Sequence, residues 1–200
     1  MLRLQRHAIR RAGTHARGLW TLLRDRSGAG AIEFAFIAPI LLAIYLSSFE
    51  ITTGYTTARK VLKAASTVAD IVTRQTSVDK AFLNGMIDTA EATLAPDSTQ
   101  DMTMKVTGIT IDSTGSAKVL WSWNELGGAP YAKGANAEVP EDMRSPSSFL
   151  IRAEVTLPHQ ILLFLASGAS ATNSATTIDI HRDFYYRQRL GDEIACTDCS

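Results

Sequence analysis

The feature that most constrains this chain is a run of 22 residues, Gly28 to Phe49, that contains a single charge, Glu33. As a helix at about 1.5 Å per residue, the run reaches roughly 33 Å, close to the hydrocarbon thickness of a bilayer. A buried helix of a soluble domain is the alternative, but such helices are usually shorter and carry polar interruptions. The spacing therefore predicts a membrane-spanning helix over about residues 29–50.

Charge is distributed unevenly around this run. Residues 1–28 hold seven arginines (Arg3, Arg6, Arg10, Arg11, Arg17, Arg24 and Arg26) and one acid, Asp25, for a net charge of +6. The other 172 residues carry 13 basic and 19 acidic side chains, for a net of −6. Positively charged flanks stay on the cytoplasmic side, so the segment after residue 50 is expected to be exported. A cleaved secretory signal would need a shorter apolar core and a small-x-small site, and Ser47-Ser48-Phe49-Glu50-Ile51 offers a poor one. A mitochondrial transit peptide is the other reading of six arginines and no acid in residues 1–24, and it leaves Glu33 unexplained. The zero net charge of the whole chain argues against a nucleic-acid binder. An apolar content of 46% with 20% charged residues rules out global disorder.

A carboxylate inside an apolar span is costly and usually marks a function. Here it follows Arg24-Asp-Arg-Ser-Gly28-Ala29-Gly-Ala-Ile-Glu33-Phe34. A cut between Gly28 and Ala29 would make Glu33 the fifth residue, one helical turn from a newly freed α-amino group. That amine can neutralise the glutamate of a neighbouring subunit as two helices slide into register. Gly28 suits a protease that needs an unobstructed backbone. Basic leader, glycine, small residue, glutamate at the fifth position and apolar helix together form the pattern of type IV prepilins. Phe34, Phe36, Ile37, Ile40 and Leu41 would supply the packing area between such helices.

The run Arg26-Ser-Gly-Ala-Gly-Ala-Ile-Glu-Phe-Ala-Phe-Ile-Ala-Pro-Ile-Leu-Leu resembles the opening of TadE-like proteins, the pseudopilins of the tight-adherence (Flp) pilus machinery. The resemblance is specific over about residues 24–50 and looser to about residue 70. It implies a single-pass inner-membrane protein with a cytoplasmic N-terminus and a periplasmic C-terminal domain. It also implies processing by a prepilin peptidase, and pilin and other pseudopilin subunits and an inner-membrane assembly platform as partners. The implied role is assembly of a pilus used for surface adherence and secretion, with no cofactor.

The remainder predicts an α+β, pilin-like fold. Val61, Leu62, Ala65, Val68, Ala69 and Val72 fall on one helical face, with Arg59, Lys60 and Lys63 opposite, so the first helix should run from about 30 to 73. Thr76-Ser77 and Asp79 signal a second helix with Phe82, Leu83, Met86, Ile87, Ala90 and Leu94 on its apolar side, ended by Pro96. From residue 100 the period changes to two. Met102, Met104 and Val106 alternate, and Gly108 shifts the phase to Ile109 and Ile111 as a bulge would. After the turn Asp112-Ser-Thr-Gly115, Val119, Trp121 and Trp123 alternate on the returning strand. Residues 126–147, with three glycines and three prolines, form a long loop. Phe149, Ile151, Ala153, Val155 and Leu157 make a third strand, and Ile178, Ile180, Phe184 and Tyr186 a fourth. Between them, the apolar run from Ile161 to Ala166 is too short to span a bilayer and reads as core or subunit contact. The expected organisation is a leader (1–28), a transmembrane helix (29–50), an exported helical region (51–97), an antiparallel sheet of about four strands (98–190) and a C-terminal tail (191–200).

Catalytic patterns are lacking in the sequence. His7, His15, His159 and His181 have no metal-ligand spacing, and there is no phosphate-binding or nucleophile-elbow motif. Asp179, Asp183 and Glu154 read as solvated strand faces rather than paired carboxylates. The expectation is a non-enzyme without a metal site. The tail motif Cys196-Thr-Asp-Cys199 reads as a local disulfide in an oxidising compartment; a redox or intermolecular pair and a metal-bound pair are the alternatives. A membrane-anchored periplasmic binding or thiol-redox protein is accordingly the second functional reading, and a processed mitochondrial protein the third.

Overall fold

The computed structural model describes residues 28–161 and 177–199. The chain divides into two compact units, one ending at Ser48 and one beginning at Phe49. Both draw on α1 (Ala29–Val72), a helix of 44 residues. The leader arginines, His7, His15 and residues 162–166 of the short apolar run lie outside the described residues.

In the first unit α1 is apolar around its whole circumference. Ile32, Phe34, Phe36, Ile37, Ile40, Leu41, Leu42 and Ile44 are all exposed, Phe36 to 72%. A helix without a polar side has no face to give to water, which is the signature of an apolar surrounding. The Ser47 hydroxyl donates to the Ala43 carbonyl at 2.8 Å, so it is satisfied without solvent. Among the described residues, α1 is the one helix long and apolar enough to cross a membrane.

In the second unit the same helix becomes one-sided. Val61, Ala64, Ala65, Val68, Ala69 and Val72 are fully buried, a stripe at alternating three- and four-residue steps. Leu62, expected in this stripe, is 38% exposed, and Ala64 takes its place. Steps of three and four from Val61 pass through 64 and 65, which turns residue 62 about 100° away from the core. Lys60, expected opposite the stripe, instead flanks it one turn before Ala64, is half-buried and pairs with Asp97 at 3.1 Å.

The second helix, α2 (Lys80–Leu94), starts at Asp79, whose Oδ1 accepts from the Phe82 amide at 2.7 Å. This side-chain cap satisfies one of the free amides at the helix start. Ser77 is not part of the cap; with Val78 it forms a short strand, β1 (Ser77–Val78). Leu83, Met86, Ala90 and Leu94 are buried, with Phe82 and Ile87 packed at the margin.

The main sheet is antiparallel: β2 (Thr103–Ile111), β3 (Ala117–Asn124), β4 (Ser148–Gln160) and β5 (Thr177–Arg187), in the spatial order β3-β2-β4-β5. The β2–β3 turn is held by Asp112, whose Oδ1 accepts from the amides of Thr114 and Ser116 at 2.8 and 2.9 Å. These bonds hold its carboxyl below the usual carboxylate range, with the Thr114 hydroxyl as the largest cause. One face of the sheet joins α1 and α2 in the main core through Met104, Val106, Trp121, Trp123, Ile151, Ala153, Val155 and Leu157.

The other face corrects two expectations. A bulge does exist at Gly108, but its extra residue is Leu120 on β3: Gly108 pairs with Trp121 and Ile109 with Val119. The β2–β4 register continues unbroken from Thr103 to Ile111. Ile109 and Ile111 are therefore not returned to the main face. They point to the opposite one, where they join Ala117, Leu150 and Val139 in a second buried cluster. Val119, the registered partner of Ile109, follows it and parts company with Trp121 and Trp123. The loop 126–147 is the cover of this second core, contributing Val139, Ala137 and Met143 around a short 3-10 turn (Glu141–Met143). Hydrogen bonds from Gly134 and Ala137 to the Val119 and Ala117 carbonyls stitch it to the edge of β3.

Candidate assembly site

The residues singled out at the N-terminal helix fall at its beginning. The Gly28 carbonyl accepts the first helical bond, from the Ile32 amide at 3.1 Å, and Ala29 is the first helical residue. Glu33 therefore stands four residues, or about 6 Å of rise, above the Gly28–Ala29 peptide bond. Glu33 is exposed and Phe34 beside it is 68% exposed. Glu33 is thus a carboxylate one turn from the helix start, flanked by exposed apolar side chains.

The C-terminal pair is a disulfide, Cys196–Cys199, and neither cysteine is free. The tail is far more than a tied end. Ile194 is fully buried in the main core, and the Trp121 indole N–H donates to its carbonyl at 2.6 Å. A two-residue strand, β6 (Ala195–Cys196), runs parallel to β1, pairing Ser77 with Ala195 and Val78 with Cys196. Asp198 Oδ1 accepts from the Lys80 amide at 2.8 Å, so the tail adds a second carboxylate to the start of α2. Among the described residues, Cys196, Asp198 and Cys199 are the one trio of metal-ligand types within reach of a common point. With both sulfurs in the disulfide, the trio offers no thiolate, which a soft-metal site would need. The sequence showed the cysteine spacing but carried no sign of this docking, which joins residues more than a hundred positions apart.

Glu154, read as solvated, is 4% exposed. Its oxygens lie 3.1 and 3.0 Å from the Tyr131 hydroxyl, which donates to the carboxylate, and Arg152 pairs with it at 3.1 Å. Arg152 also reaches Asp183 at 3.5 Å and stacks near Tyr185 at 5.6 Å. Burial raises the Tyr131 hydroxyl above its usual value, with the Glu154 charge adding to the effect. Burial pushes Tyr185 up to about 12, against the lowering effect of Arg152. Asp179, by contrast, is exposed as expected. The three carboxylates do not converge: Glu154 and Asp183 share Arg152, while Asp179 pairs in register with Pro158, farther along the strand. His159 and His181 contribute to no metal-ligand group among the described residues. His181 Nδ1 lies 2.9 Å from the Thr156 hydroxyl.

These features define an α+β protein with an antiparallel four-stranded sheet and one N-terminal apolar helix able to cross a membrane. Residues 28–70 match the family model described as TadE-like protein, which is consistent with a protein associated with the Tad pilus. The match begins at Gly28 and covers α1 almost to its end. No curated protein matches the chain, and no solved structure does.

Proposed function

We propose that the chain is a non-catalytic pseudopilin, a minor pilin that acts in assembling a Tad (Flp) pilus. A prepilin peptidase cuts between Gly28 and Ala29 on the cytoplasmic side of the inner membrane. The freed amine of Ala29 then balances Glu33 of a neighbouring pilin or pseudopilin, which sets the register of the two helices at the assembly platform. Phe34 and the apolar residues after it supply packing area. The second unit, which follows the membrane segment, lies in the periplasm. One observation carries this reading: the helix begins at the proposed cut, with Glu33 one turn inside a surface that is otherwise apolar all round. The family match starting at Gly28 supports it.

The alternative thiol-redox reading would act through Cys196, the half-buried sulfur of the pair, since Cys199 is 2% exposed.

N-terminal sequencing of the mature protein tests the cut, with Ala29 expected as the first residue. In the same strain, Glu33→Ala should leave membrane insertion intact and reduce piliation severalfold. Normal piliation of that variant would remove Glu33 from the mechanism, and a mature N-terminus elsewhere would remove the cut.

A further inference from the structure

Strand β5 is the outermost strand of the sheet among the described residues: β4 occupies one of its edges, and no described strand pairs with the other. Around Asp183–Tyr185 this open edge lies in a groove that has walls on both faces of the sheet. On the helix side the wall is Leu62, beside Phe184; on the loop side it is Val139, Pro140 and Met143, beside Tyr185. The helix wall continues through Arg59 and Lys63 in a hollow that shares Leu62 and Phe184.

A sheet edge presents unpaired backbone amides and carbonyls, and an extended chain that joins it sends alternate side chains to opposite faces. A bare edge offers such a chain only its backbone. Here the set facing the loop would meet Pro140 and Met143, and the set facing α1 would pass Leu62 toward Arg59 and Lys63. Leu62, turned away from the core on α1, lies where an added strand would cover it.

The rim selects by charge. Arg59 and Lys63 form no salt bridge among the described residues. Arg59 lies over the Tyr55 ring, at 5.9 Å. Of the two acids lining the groove, Asp183 is engaged by Arg152 and Glu138 stands on the loop side with the basic Arg144. A second copy joining edge to edge would bring its own Arg59 and Lys63 against these, on the same face of the combined sheet, and like charges there oppose pairing.

We propose that the open edge of β5 is a docking slot for an extended segment of a different protein, which adds as a fifth strand with apolar residues at alternate positions and acidic side chains toward Arg59 and Lys63. This proposal does not rest on the assembly reading.

The test uses the full chain in detergent and a fluorescent seven-residue probe alternating valine with glutamate and threonine, followed by anisotropy. Saturable binding is expected, with at least a tenfold loss in the double variant Arg59→Glu/Lys63→Glu. A probe with lysine in place of glutamate should not bind. Two further probes carry N-methyl groups on alternate amides, one on each edge of the strand; only the one whose methyl groups face β5 should lose binding. Equal behaviour of the two methylated probes would overturn strand addition without reliance on any variant. Failure of the acidic probe to saturate, or unchanged binding to the double variant, would also overturn the proposal. Self-association in sedimentation that the double variant abolishes would make a second copy the occupant, which contradicts it. Circular dichroism of the double variant checks that its fold is kept.

Discussion

At the scale of single residues, Gly108 shows how one missing side chain organises a sheet. A Cβ built there would lie 2.6 Å from Cε2 and Nε1 of Trp121 and 3.0 Å from Cζ of Phe149. The indole cannot swing away easily, because its N–H is held by the Ile194 carbonyl. Gly108→Ala should therefore destabilise the protein by about 1–3 kcal/mol, as overpacked sites do. Chemical denaturation followed by tryptophan fluorescence reads this; an unchanged midpoint would mean the indole has room to move. Tyr185 gives a second residue-level prediction. Its folded-state value of about 12 lies above the roughly 10 of an unfolded tyrosine. The folded form holds the proton longer, so this contribution to stability is complete below about pH 10 and is lost as pH rises toward 12. A tyrosinate absorbance titration should show a late step that Tyr185→Phe removes. Loss of amplitude near pH 10 in the variant, with the late step kept, would place Tyr185 in water. The glycine was readable in the sequence as a break in the apolar alternation, but the bulge it marks has its extra residue on β3 and leaves β2 in register with β4. The raised tyrosine was not readable, because the loop that buries it lies about fifty residues away, where Glu138 accepts its hydroxyl hydrogen at 2.9 Å.

At the scale of elements, periodicity reported the helices and strands well and their surroundings poorly. The stripes on α1 and α2 and the alternation on β2 to β5 are local consequences of 3.6- and 2-residue repeats. The loop 126–147 has no repeat, so nothing in its sequence announced that it covers a second core. The same applies to the tail, whose cysteine spacing was visible while its pairing with β1 was not. The disulfide closes a very small ring, for which the chain-entropy estimate is about 2 kcal/mol. Replacing both cysteines by serine should lower the unfolding free energy, read from chemical denaturation, by about that amount. Hydrogen exchange should speed up at Lys80 and Thr197, whose amides bond to Asp198 and Val78. No change at either amide would show that the tail docks through Ile194 alone.

At the scale of the molecule, the two units ask for different solvents. The first exposes apolar side chains on every side, and the second has a core of its own built from two helices and a sheet. A chain of residues 49–200 should therefore stay in solution without detergent and keep the near-ultraviolet circular dichroism of its buried tryptophans, Trp121 and Trp123. The whole chain should stay in the membrane fraction through alkaline carbonate extraction. Loss of the tryptophan signal in the shorter chain would mean that the second unit depends on the first.

The sequence by itself determined the apolar helix, the position of Glu33 within it, the one-sided helices that follow and the strands of the sheet. Each is carried by neighbours within a turn or two, where spacing alone sets which side chains share a face. Only the tertiary structure decided that Ile109 and Ile111 turn to a second core, that Glu154 is enclosed by Tyr131 and Arg152, and that the tail is threaded into the main core. Those outcomes depend on which distant backbone supplies the partner. Strand register and loop closure settle that choice, and residues far apart in the chain leave no periodic trace of it.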